Sequence, residues 1–217
     1  MLWILGVLLF GGLAVREVFG AGRRDRQEPI YWPYLALVLA LALACAWPPF
    51  STWRFERFLE AKAIQLAEGR PVSVHCNSVV DTMFDRNMLA AGHANPQTGE
   101  IVFQTPWCEV LRDYLDAPER ADDRQIVALN LFTHEVMHIR GELNEAITEC
   151  QSVQHNVRAA RLLGVPDALA KAHARHYYEK LYAMRGQVGG YSGMYFSAQC
   201  APGDVMDLKL PDSTWAP

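Results

Sequence analysis

Residues 134–138 read His-Glu-Val-Met-His. On a helix, two histidines four apart place both imidazoles on one face, about 6 Å apart at the backbone, where they could grip one ion. Zinc takes imidazole nitrogen well and wants a tetrahedral set of ligands. It lowers the pKa of a bound water to about 7, and a carboxylate beside the first histidine could then take that proton and pass it to a leaving amine. His134 and His138 are therefore candidate ligands of Zn2+, and Glu135 is the candidate base for amide hydrolysis. The flanks, Phe132, Thr133, Val136, Met137 and Ile139, are mostly apolar, so this helix is expected to be buried. Two buried histidines and a glutamate need partners, and a metal supplies them.

A third protein ligand must follow. After His138 the chain runs Ile139-Arg140-Gly141-Glu142-Leu143-Asn144-Glu145-Ala146-Ile147-Thr148-Glu149. Residues 144–149 resemble the Asn-Glu-x-x-Ser-Asp element of the gluzincins, the thermolysin-like zinc peptidases. That resemblance implies Glu145 as the third ligand and Glu149 as a carboxylate that steadies a zinc-bound histidine, with Glu149 as the alternative ligand. The two are four apart and can face one site. The spacing is not that of the large gluzincins, since only six residues separate His138 from Glu145. His134-Glu-x-x-His138-x-x-Gly141-x-x-Asn144 is also similar to the metzincin layout, but with asparagine, a poor zinc ligand, where a third histidine would stand. Compact Glu-zincins with a short helix–turn–helix have the nearest geometry. Residues 51–217 further resemble uncharacterised actinobacterial membrane-anchored proteins, through Glu145-Ala146-Ile147-Thr148-Glu149-Cys150 and a loosely spaced tail from Cys200 to Leu208. That resemblance implies a zincin-like module and no particular substrate.

Other side chains are weaker candidates. His155 lies ten residues past Glu145 on the same expected helix and is read as structural. His173, His176, Tyr177 and Tyr178 could donate to a developing oxyanion but equally fit a plain helix surface. Tyr191 and Tyr195 sit in a glycine-rich stretch that could fold over the site. His75 and His93 have no pattern around them.

The elements that must position these groups follow from periodicity and punctuation. Asp122–Ile139 reads as a helix with apolar Ile126, Leu129, Phe132 and Val136 at helical spacing. Gly141 is a natural C-cap and Asn144 an N-cap for a second helix running to about Leu163. A third helix is expected over Asp167–Met184. Upstream, 51–68 reads as a helix capped by Ser51, Val72–Val80 as a strand, 87–104 as a hairpin turning at Asn95-Pro96-Gln97-Thr98-Gly99, and Trp107–Leu115 as a short helix. The fold class is thus α+β: a mostly helical zincin-like domain at 51–217 with a small β-hairpin or sheet, preceded at 1–50 by a two-helix transmembrane hairpin.

That hairpin rests on two apolar runs. Met1–Val15 spans about 22 Å as a helix, short of the ~30 Å hydrocarbon core unless Arg16 and Glu17 snorkel and extend it. Tyr31–Trp47 is bounded by aromatics suited to a membrane interface, and Pro48-Pro49 is expected to stop it. Arg16, Arg23, Arg24 and Arg26 lie between the runs and would place that loop in the cytoplasm, leaving 51–217 outside. Of five cysteines, Cys45 falls in the second run and Cys76, Cys108, Cys150 and Cys200 follow it, a set suited to two disulfides in an oxidising compartment. Three pairings are possible. Cys76–Cys108 and Cys150–Cys200 are expected, because the first pair flanks the hairpin and the second would pin a tail of little regular structure beside the site. A net charge of −4 argues against nucleic acid as a partner. The sequence therefore predicts a membrane-anchored zinc metallopeptidase acting on peptide or protein. The alternatives are a silent zinc-fold binding or scaffold module, and a zinc amidase acting on cell-wall material.

Overall fold

The computed structural model describes residues 2–20, 30–188 and 190–216. The chain divides into two units, Met1–Phe55 and Glu56–Pro217. Cys45 is a free thiol, and Arg23, Arg24 and Arg26 of the arginine loop lie outside the described residues.

In the first unit, α1 (Leu2–Phe19) meets the early part of α2 (Trp32–Leu66) through Ala14, Leu35 and Val38. Among the described residues α2 alone is long and apolar enough to cross a membrane. The expected two-helix transmembrane hairpin is therefore corrected to one candidate span. The physical reason is length and charge: eighteen residues rise only about 27 Å, and Arg16 and Glu17 fall within the last turn of α1. A second correction concerns Pro48-Pro49, which does not end the helix; α2 continues through both to Leu66, so Ser51 lies inside a helix and not at the start of one. Proline's fixed φ is compatible with a helix, which can run on at the cost of the backbone bonds that the two rings remove.

The second unit starts on the last turns of α2. Strands β1 (Ser73–Cys76), β2 (Gly92–Asn95) and β3 (Glu100–Phe103) form one sheet in the order β1-β3-β2, with β1 parallel and β2 antiparallel to β3. The expected hairpin is present. The expected strand to Val80 stops at Cys76 because Ser78 and Asp81 form a capping box that starts α3 (Val79–Phe84). Both edges of the sheet matter. Glu60 and Glu56 of α2 accept the backbone N–H groups of Val74 and Cys76 at 3.0 and 2.8 Å and so close the β1 edge. No strand among the described residues covers β2.

Three helices then build the frame. The helix α4 (Trp107–Asp116) leads to α5 (Asp123–Ile139), whose N-cap Asp122 makes a capping box with Gln125. Gly141, at φ +106°, ends the turn after α5, and the Asn144 side chain caps α6 (Glu145–Leu162). Side-chain pairs run 130 with 152, 134 with 149 and 138 with 145, so α5 and α6 lie antiparallel. The sheet sits on α5 through Phe103 and Phe132, both buried, with ring centroids 6.5 Å apart. Burying each such ring contributes about 2–3 kcal/mol. The expected third helix is interrupted: α7 (Asp167–His176) passes into a π-helical stretch, Tyr177–Tyr182, and then α8 (Ala183–Val188). Both expected disulfides, Cys76–Cys108 and Cys150–Cys200, are present. Gln154 and Thr214 fasten the C-terminal tail to α6, at Met206, Leu208 and Val153.

Candidate metal centre

The helical register of α5 brings His134 and His138 together, with ring centroids 4.7 Å apart. The start of α6 faces them. His134 Nδ1 meets Glu149 Oε2 at 2.8 Å, and His134 Nε2 meets Glu145 Oε2 at 3.1 Å. His138 Nδ1 donates to the Glu142 carbonyl at 2.7 Å, and its Nε2 lies 3.5 Å from the same Glu145 oxygen. A carbonyl can only accept, so His138 carries its proton on Nδ1 and turns the Nε2 lone pair inward. Glu149 fixes His134 in the same sense.

Three lone-pair donors, the two Nε2 atoms and one Glu145 oxygen, therefore converge within 4.8 Å of one another. Such atoms repel unless a cation or proton sits among them. Tetrahedral ligands on bonds of about 2.1 Å stand about 3.4 Å apart, close to the 3.1 and 3.5 Å separations here. The donor set fits a zinc-like ion, and His134, His138 and Glu145 form a group able to hold one. With no ion among them a proton takes this place: each imidazole, once protonated on both nitrogens, donates from Nε2 to Glu145. Burial disfavours charge on His134, but its hydrogen bonds with Glu145 and Glu149 outweigh this and push it up to about 10. Hydrogen bonds from His134 and His138 hold Glu145 down at about 2.

Behind His134, Glu149 is 1% exposed. Its Oε1 accepts Asn130 Nδ2 at 3.0 Å and the Tyr177 hydroxyl, and Arg185 Nε lies 3.6 Å away. Burial pushes the pKa of this carboxylate up; the hydrogen bond and charge of His134, together with Arg185 and Tyr177, outweigh that and lower it. Asn130 in turn accepts from Ser152 and Asn156 at 3.0 and 2.9 Å.

Glu135 is bonded differently from the other carboxylates of the site. It is 3% exposed, and its Oε2 has no hydrogen-bond partner. Burial raises its pKa. Gly92 of β2 lies directly against it: a Cβ at that position would stand 3.2 Å from Glu135 Oε1 and 3.1 Å from the Val102 carbonyl. Glycine lets the open strand approach the carboxylate. Two adjoining hollows meet here, both lined by Ala90, Gly92, His134, Glu135 and Tyr195; one runs on to Leu89, Trp107 and Arg185, the other to His93, Leu143 and Glu145.

The structure thus places His134, Glu135, His138, Glu145 and Glu149 in one centre. It puts Tyr195 there too, its ring 5.6 Å from His134 and under Arg185 at 5.2 Å; the side chain of Tyr191 lies outside the described residues. Tyr177 supports Glu149 from behind and does not face the cleft. Tyr178 bonds the Cys200 carbonyl, His173 the Tyr114 hydroxyl, His176 Asp123, and His155 Arg140. His75 pairs with Glu56 away from the centre, whereas His93 lines the cleft. Asn130, Arg185 and Gly92 were not foreseen. Their one sequence signal was a glycine opening a strand; the other two meet Glu149 only through folding.

No family model, curated protein or solved structure matches this chain. The class that the fold and site define is chemical: a mostly helical α+β domain holding a buried His-His-Glu centre. The apolar helix near the N-terminus and the two disulfides fit a secretory or extracytoplasmic location.

Proposed function

We propose that the chain is a zinc-dependent peptidase, anchored by α2 and facing outside the cell. One observation carries this: the buried, unpartnered Oε2 of Glu135 beside three converging lone-pair donors. A purely structural centre needs no such atom, because a buried polar oxygen without a partner is costly. Zinc, when bound, supplies a Lewis acid that acidifies water. His134, His138 and Glu145 would hold it, with Glu149 and the Glu142 carbonyl fixing the rings. Glu135 Oε2 takes the proton of the attacking water and delivers it to the departing amine. The uncovered edge of β2 offers main-chain hydrogen bonds to an extended peptide beside Glu135.

The test is metal content of the full chain in detergent, measured beside Glu145→Ala and the double variant His134→Ala/His138→Ala. One zinc per chain is expected for the wild type and none for the double variant. For Glu145→Ala the affinity is expected to fall at least ~100-fold. Zinc retained by the double variant would overturn the assignment, and loss in Glu149→Ala with retention in Glu145→Ala would move the third ligand one turn along α6.

A further inference from the structure

Helix α3 is inside out. Its polar side faces the protein: Thr82 Oγ1 accepts the Thr105 N–H at 3.0 Å, and Asp85, which follows the helix, accepts from Asn77 at 3.0 Å. Its other side carries Val79, Val80, Met83 and Phe84, which are 62, 55, 65 and 84% exposed. At 3.6 residues per turn these four cover an arc of roughly 140°. A surface helix ordinarily turns such a stripe inward. No residue of α3 is buried, and the Ser78–Asp81 capping box and the Thr82 contact hold it without help from the stripe. Met88 and Leu89, 51 and 94% exposed, extend the patch. An exposed apolar surface of this kind marks an interaction site.

The chain itself indicates what covers it. Because Val74 bonds Glu60 and Cys76 bonds Glu56, β1 runs back along α2 towards Glu56, the first residue of its unit. The next element, α3, therefore starts at the end of the unit where the chain enters it. Three residues before Glu56 is Trp53, last of the row Trp47, Phe50 and Trp53, whose rings are 6.2 and 5.9 Å apart. Such aromatics favour the membrane–water interface. Three residues reach at most about 11 Å, so the chain enters this end of the unit within that reach of Trp53. A second copy is a poorer occupant, since six side chains fall well short of the 20–30 residues a side of a stable interface.

We propose that α3 lies in the interfacial layer of the bilayer crossed by α2, with Val79, Val80, Met83 and Phe84 in the acyl boundary. This rests on the reading of α2 as a membrane anchor. Leu89 belongs both to the patch and to the cleft wall, so the cleft opens at the lipid surface and receives polypeptide that lies close to the membrane.

The full chain, in phosphatidylcholine–phosphatidylglycerol vesicles, carries a nitroxide attached through a ketone side chain introduced at Met83, which spares the cysteines. The same label at Leu43 reports on α2, and at exposed Ala172 of α7 on water. Collision rates with oxygen and with a water-soluble nickel chelate are compared. Oxygen is expected to dominate at Met83 and Leu43, and nickel at Ala172. Adding Val80→Asp and Phe84→Asp is expected to return Met83 to the Ala172 pattern. An aqueous pattern at Met83 with a lipid pattern at Leu43 would overturn the proposal alone. Shielding of Met83 from both reagents would overturn it in favour of a protein contact. An aqueous pattern at Leu43 as well would overturn the anchor and the proposal together.

Discussion

Two helices of this protein carry the same carboxylate pair. On α2, Glu56 and Glu60 are four apart; on α6, so are Glu145 and Glu149. Both pairs face inward, and their partners separate them. Glu56 and Glu60 accept backbone N–H groups of β1, groups that every strand edge presents, and so they close the sheet; the imidazole that Glu56 also meets, His75, is exposed and belongs to that same strand. Glu145 and Glu149 accept from imidazoles, groups that can also bind a cation, and so they shape a centre. Spacing places carboxylates on one face; what the facing element offers decides whether they staple or assemble chemistry. The two edges of the sheet repeat the lesson. The β1 edge is closed by side chains, while among the described residues no strand covers the β2 edge next to Glu135.

Three substitutions sharpen the contrast. The largest effect is expected at Glu149→Ala, which removes the one carboxylate that the Tyr177 hydroxyl, Asn130 Nδ2 and Arg185 share and leaves the buried Tyr177 hydroxyl without its acceptor. Chemical denaturation should show a loss of about 3–5 kcal/mol, as for breaking a buried charge network. Zinc affinity should fall about 10–100-fold, as for other outer partners of a ligating histidine. A change in stability alone would make Glu149 a staple like Glu60.

The next effect, Glu60→Ala, removes the acceptor of Val74 N–H. A loss of about 1–2 kcal/mol is expected, with zinc content unchanged. Altered zinc content would show that the two carboxylate pairs are not separable.

The smallest effect is expected at Asp212, a structural carboxylate on the other side of α6. Its hydrogen bonds from Arg158 hold its pKa below the usual range. A folded-state pKa lowered in this way stabilises the protein above the unfolded value of about 3.9, and the gain is lost as pH falls through the folded value. Both side chains are partly exposed, so the gain lies within the ~0–1 kcal/mol of solvent-facing pairs. Urea midpoints of wild type and Asp212→Asn should differ near neutral pH and coincide near pH ~2. A difference that grew in acid would contradict this.

Much of the centre was legible because it is local. The histidine spacing, the Asn144 cap and the two glutamates of α6 all lie within sixteen residues, 134–149, and helical geometry alone brings each pair onto one face. The cysteine pairing followed from which elements needed fastening. What the sequence hid is long-range or runs against local rules. Arg185 and Tyr177 reach Glu149 through a π-helical stretch that no periodicity announces. Pro48-Pro49 reads as a stop but continues α2. Val79 and Val80 read as the end of a strand, but a capping box takes them into a helix with its apolar side outward.

The central claim, that Glu135 is the base of a metal-dependent hydrolase, is tested most directly by measuring zinc content and peptide cleavage together in wild type and Glu135→Gln. The amide keeps the shape but cannot take a proton. Equal zinc in the two proteins is expected, with cleavage by the variant reduced about 10²–10⁴-fold. Full cleavage by Glu135→Gln, or a zinc-loaded wild type that cleaves no member of a broad peptide library, would contradict the account.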